Sequence, residues 1–164
     1  MGFARIQPWV STACRLVLAG VWIVAGASKV GDLAESGRAV AAYRVMPYDL
    51  ATFIGAVLPF LEIALGLLLL LGLATRLVAI LSAGLLIVFI AGIISAWARG
   101  LRIDCGCFGG GGDLTGDEQP AYTSETIRDI ALVLVAGFLA LFPRSRWSVD
   151  ARLSNPHLDG GPES

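Results

Sequence analysis

The chain has 164 residues, 56% of them hydrophobic and 15% charged, with a mean hydropathy of +0.76 and a formal net charge of −1. A soluble domain of this size carries about 25% charge, so the apolar excess asks for a bilayer, and the near-neutral balance offers no basic face for nucleic acid. One histidine and three cysteines fall short of the ligands a zinc ribbon needs, and no metal site is expected.

The first apolar stretch spans 11–28 (STACRLVLAGVWIVAGAS) and carries Arg15 within it. Its end, Ala25-Gly26-Ala27, also fits the cleavage rule of a signal peptide, which would leave three spans. That pattern is short and common in Ala-rich helices, and a membrane span is preferred. The segment that follows, VGDLAESGRAVAAYRVMPYD, has mixed charges. Asp32 is a suitable N-cap, and Met46-Pro47-Tyr48 breaks the pattern. A short amphipathic helix or re-entrant turn at the membrane face is predicted there.

The second and third spans are predicted over 50–73 and 77–98 and easily reach the ~20 residues a bilayer requires. Glu62 sits well inside the second (PFLEIALGLLLLLG). A charge at mid-bilayer costs about 2.5–3.5 kcal/mol even on the lenient insertion scale, so it needs a partner. Measured from the helix ends, Glu62 lies ~16 Å deep and Arg15 ~20 Å deep, which makes Arg15 the first choice of partner and Lys29, at the membrane edge, the second. Such a pair either locks spans one and two together or serves a proton- or quinone-related role.

Between the third and fourth spans lies a polar loop with DCGCFGGGG at 104–112. A disulfide between Cys105 and Cys107 closes a very small ring, with Cα atoms expected near or beyond comfortable geometry, and so one that is easily reduced. Gly106 allows the unusual backbone angles, and the glycines that follow are expected to leave the pair pliable and open to a partner thiol. Arg99 and Arg102 are the nearby cations, and Asp104 opposes thiolate formation. Structural thiols in a loop, or half of a metal site, are the competing assignments. Cys14, on the other side of the first span, is out of their reach. The fourth span, 126–142, opens with Arg128 and Asp129, and a soluble tail follows Pro143. Gly20, Gly26, Gly55, Gly66, Gly84, Gly92 and Gly137 recur through the spans and are expected to let helices approach closely.

The fold predicted is therefore all-α: an integral membrane four-helix bundle at 1–145, with a short amphipathic helix between spans one and two, and a flexible tail at 146–164. Four spans put both termini on one face. The basic residues divide evenly between the faces, so the positive-inside rule does not decide orientation by count. The Pro-Arg-Ser-Arg cluster at 143–146 and the preference of disulfides for oxidising compartments both favour cytoplasmic termini and an external CGC loop.

With Arg15, AGASKV at the end of the first span, YRVMP in the next loop, PFLEIALGLLLLLG and RGLRIDCGCFG in hand, the chain resembles the DoxX-like membrane proteins, and within them the methylamine utilisation protein MauE branch. The resemblance covers most of the chain, from Arg15 to Phe142. It implies a four-helix membrane bundle linked to methylamine metabolism, in which MauE proteins are thought to help mature the disulfide-rich small subunit of methylamine dehydrogenase. Arg15, Lys29, Glu62, Cys105 and Cys107 carry over as matching positions. The activity expected is thiol–disulfide exchange through Cys105 and Cys107 with a secreted thioredoxin-like or disulfide-rich client. A quinone near Glu62 and Trp22 is the acceptor left open, although no cofactor motif is evident. A non-catalytic scaffold or assembly subunit is the alternative. A small-molecule transporter is a weaker one, because no internal repeat is found.

Overall fold

The structure, a computed structural model, describes residues 3–107, 110–114 and 119–143. The tail at 146–164, the arginines beyond Pro143 and part of the acidic insert lie outside the described residues. In chain order the elements are α1 (Phe3–Val30), α2 (Leu33–Ala42), α3 (Tyr48–Leu71), α4 (Thr75–Ala98), β1 (Ile103–Asp104), β2 (Gly112–Asp113) and α5 (Tyr122–Leu141). The long helices α1, α3, α4 and α5 form the expected bundle, and α2 is the short helix between the first two.

Local chemistry sets the boundaries. Asp32 caps α2, its side chain accepting the Glu35 backbone N–H at 2.8 Å, and Pro47 precedes the first residue of α3. Gly72 ends α3 in the left-handed conformation, φ 69°, which glycine adopts without a Cβ penalty. Three helical segments, Ile6–Val30, Tyr48–Leu71 and Thr75–Ala98, are long and apolar enough to cross a membrane. The chain is an integral membrane protein, and large side chains such as Phe53, Leu71, Val88 and Leu134 stand exposed on its outside, as a lipid-facing surface requires. α5 carries Glu125, Arg128 and Asp129 in its first turns and packs mainly against α4.

The core joins Leu18 and Trp22 of α1, Leu65 and Leu69 of α3, Leu86 of α4, and Leu132, Ala136 and Leu139 of α5. Trp22 is anchored there, its indole N–H donating to the Ser82 hydroxyl at 3.0 Å. α1 supplies this wall of the core and is among the helices long and apolar enough to cross a membrane.

α1 and α3 run antiparallel in close contact. A Cβ on Gly26 would lie 2.6 Å from the Pro59 carbonyl oxygen, and one on Gly66 would lie 2.6 Å from Ile23 Cγ1. The glycine expectation therefore holds at these two positions. It does not hold at Gly20, Gly84 or Gly137, where a Cβ would meet nothing within 4 Å.

Candidate functional site: a disulfide above two ion pairs

Glu62 is fully buried on α3, and the cation that reaches it is Lys29, whose ammonium donates to both carboxylate oxygens at 2.6 and 2.9 Å. The first-choice pairing with Arg15 is thus corrected. The glycine contacts put residues 59–63 beside Gly26 and Gly66 beside 19–23. In that register Lys29 is about four residues, or ~6 Å, from the level of Glu62, whereas Arg15 is about ten residues, or ~15 Å, away. Depth counted from the start of α3 misleads because the first turns of α3 pack on α2: a Cβ on Gly55 would meet the Ser36 carbonyl oxygen and Gly37. α3 therefore extends beyond the end of α1. Side-chain direction adds to the effect. Cα–Cβ bonds tilt towards a helix's N-terminus, so in antiparallel helices Lys29 leans into the bundle and Glu62 leans out to meet it, while Arg15 leans away. Arg15 is itself buried on α1.

A second pair lies on α5. Arg128 donates through Nε and Nη2 to Asp129 Oδ1 at 2.9 and 2.8 Å, and Asp129 is buried. Glu62, Arg128, Asp129, Trp22 and Cys107 all border one small cavity of about 20 Å³. That is enough for roughly one water and too small for a quinone, so the place the sequence suggested for one, beside Glu62 and Trp22, is filled. Sequence reasoning noted Arg128 and Asp129 only as charges opening a span. Their signal was adjacency: an opposite-charge pair at the head of an apolar run.

Above this cavity the chain makes a tight turn. β1 and β2 pair antiparallel, Ile103 with Asp113 and Asp104 with Gly112, and the CGC segment is enclosed between them. Cys105 and Cys107 are disulfide-bonded, and their Cα atoms are 5.5 Å apart. That separation falls within the ordinary range of about 4.4–6.8 Å, so the expected difficulty in Cα spacing is not found. Gly106 has φ 68°, the left-handed conformation its lack of a Cβ permits. Cys14 remains a thiol.

The glycine run gives the turn closeness rather than slack. A Cβ on Gly111 would lie 2.7 Å from Gly106 Cα and 2.7 Å from Ala39 Cβ, so the glycines let the hairpin fold over the CGC turn against α2. Cys105 is 8% exposed, and Cys107 is the more accessible of the two. The expectation of an open, pliable pair is therefore corrected to a packed turn with one sulfur nearer the surface.

Three side chains absent from the predicted site hold this turn. The Tyr122 hydroxyl donates to the Leu101 carbonyl and accepts the Ile103 N–H. Tyr43 donates to the Cys105 carbonyl at 3.3 Å. The Glu125 carboxylate lies beside the Cys105 backbone. Burial, reinforced by negative charge from Glu125 and the neighbouring acidic groups, pushes the Tyr43 hydroxyl well above the usual phenol range, so it stays protonated as a donor. Arg99, which sequence proximity put beside the thiols, instead ties helix ends together, donating to the carbonyls of Ser95, Tyr43 and Arg44. Among the described residues there is no cluster suited to a metal ion.

The family model described as methylamine utilisation protein MauE matches residues 7–142 of the chain. The methylamine utilization protein MauE of Paracoccus denitrificans is 32% identical over 146 residues, covering 85% of this chain and 76% of that protein. No solved structure matches the chain.

Proposed function

Because the chain belongs to the methylamine utilisation protein MauE family, and because its two loop cysteines are joined at one end of a membrane bundle, we propose that it is a membrane thiol–disulfide exchange protein serving methylamine utilisation. An accessory role in that process is what the family carries. The finer assignment is that the CGC turn faces the oxidising side of the membrane and passes its disulfide to a secreted thioredoxin-like or disulfide-rich client.

The observation that carries this is the unequal burial of the two sulfur-bearing residues. Cys105 is packed beneath the hairpin, its carbonyl accepting the Tyr43 hydroxyl, while Cys107 is the more accessible. A client thiolate attacks the Cys107 sulfur. The bond between Cys107 and Cys105 breaks, and Cys105 leaves as a thiolate. A second client thiol, as thiolate, then attacks the client sulfur of the mixed disulfide, giving an oxidised client and a reduced CGC pair. Exchange requires an accessible sulfur and a leaving thiol held close, and the turn supplies both.

The test uses single-thiol variants in a Cys14→Ala background, exposed to oxidised glutathione. Cys107 in the Cys105→Ser variant is expected to form its mixed disulfide at least tenfold faster than Cys105 in the Cys107→Ser variant, as read by intact mass. If neither variant reacts, the thiols are structural and the protein is a scaffold or assembly subunit.

A further inference from the structure

We propose that the cleft between α3 and α4 binds the head group of a lipid-soluble quinone, which re-oxidises Cys105 and Cys107 after each exchange. The proposal rests on the exchange activity proposed above and adds the electron acceptor. α3 packs chiefly on α1 and α2, and α4 on α5, which leaves the α3–α4 seam loosely filled. In that seam lies a cavity of about 370 Å³, within the range of roughly 300–1,000 Å³ typical of small-molecule sites.

Ile54 and Leu58 of α3 form one wall, and Leu85, Val88 and Phe89 of α4 form the other. Cys105, Gly106 and Cys107 themselves line the cleft. Ile54 and Val88 are also exposed on the outside of the bundle, so the cleft opens sideways towards lipid. Tyr43 and Lys29 also line it. The turn thus borders a pocket that opens towards the bilayer.

This arrangement selects the occupant. A charged or strongly hydrated oxidant loses its hydration in an apolar cleft. A flat apolar ring with a hydrocarbon tail gains by burial there. The occupant must also take two electrons and two protons from a dithiol and bring no other reactant. A quinone meets each condition. Two S–H bonds break and one S–S bond forms, while two electrons and two protons pass to the quinone oxygens, giving a quinol. A lipid acyl chain also fits an apolar cleft, but it draws no electrons from the cysteines that line it.

The experiment uses the full chain in lipid nanodiscs, reduced with a small dithiol and then freed of it. The probe is a short-tailed benzoquinone whose ring is fully substituted, so that thiols cannot add to it. The result expected is one quinol formed for every two thiols lost, followed by absorbance and thiol counting on Cys14→Ala protein. Leu58→Trp and Val88→Trp, which add bulk to opposite walls, should each slow that reaction at least tenfold. Their reaction with oxidised glutathione, measured in parallel, reports whether the CGC turn is intact. If the thiols exchange with glutathione but stay reduced with quinone, the cleft is an acyl-chain groove and the quinone proposal fails while exchange stands. Quinone reduction at the unsubstituted rate in both tryptophan variants also overturns it, since the quinone then reacts without the cleft. If neither oxidant is used, the exchange activity fails as well.

Discussion

An ammonium and a carboxylate 2.6 Å apart and out of contact with water hold one another mainly because either alone would be worse. Removing one partner of a buried pair strands a charge and costs about 3–5 kcal/mol, whereas replacing both with apolar groups of similar volume is often neutral. Lys29→Met and Glu62→Leu are therefore each expected to destabilise the bundle strongly, and the double variant is expected to lose less than the sum. Arg15→Gln, combined with Glu62→Gln, should be additive within about 0.5 kcal/mol, because sites separated by more than a helical turn or two rarely couple. Unfolding in detergent measures both cycles. Coupling of Glu62 to Arg15 and not to Lys29 would refute the register derived from the glycine contacts. At this scale the sequence identified the right carboxylate and both candidate cations. It ranked the cations wrongly because depth along a helix has no origin until the packing of the neighbouring helix is known, and because α2 lifts the start of α3 past the end of α1.

At the scale of elements, identical residues differ by the face they occupy. Gly26 meets the Pro59 backbone at a distance no Cβ tolerates, and a backbone carbonyl inside a helix cannot step aside. Gly26→Ala is accordingly expected to part α1 from α3 and cost about 1–3 kcal/mol, the usual range for overpacking. Gly84→Ala, facing open space within α4, should be neutral or slightly stabilising, since alanine is the better helix former. Thermal unfolding of the two variants side by side checks the contrast, and equal losses would mean that α1–α3 contact does not govern stability. Composition revealed the helices and the cap at Asp32, because each depends on residues close in sequence, but it began the first helix at residue 11 where α1 begins at Phe3, and the last at 126 where α5 begins at Tyr122. It did not reveal the packed CGC turn. Burial of Cys105 depends on Ala39 from α2, Tyr43 at its end, and Tyr122 and Glu125 from α5, and nothing within DCGCFGGGG points to those partners.

For the whole molecule, what remains is which way the bundle faces. α1, α3, α4 and α5 alternate in direction across the bundle, so α2, the CGC turn and the start of α5 share one face and the two ends of the four-helix unit share the other. By the order of the spans expected from the sequence, the twelve basic residues are assigned as Arg5, Arg15, Arg76, Arg144, Arg146 and Arg152 to the terminal side and Lys29, Arg38, Arg44, Arg99, Arg102 and Arg128 to the loop side, with 144–152 outside the described residues. An equal division cannot orient a bundle by the positive-inside rule. Two of the loop-face cations are, however, already committed within ion pairs inside the bundle, Lys29 with Glu62 and Arg128 with Asp129. Arg15 of the terminal side is buried as well, so burial does not break the tie. The orientation expected, termini inside and CGC outside, rests on the disulfide, which persists in an oxidising compartment. In intact cells expressing Cys14→Ala protein, mild reduction followed by a membrane-impermeant maleimide should label Cys105 and Cys107 without breaking the membrane. Labelling only after lysis would place the turn in the cytoplasm, where thiols are kept reduced, and would remove the secreted client from the proposed function.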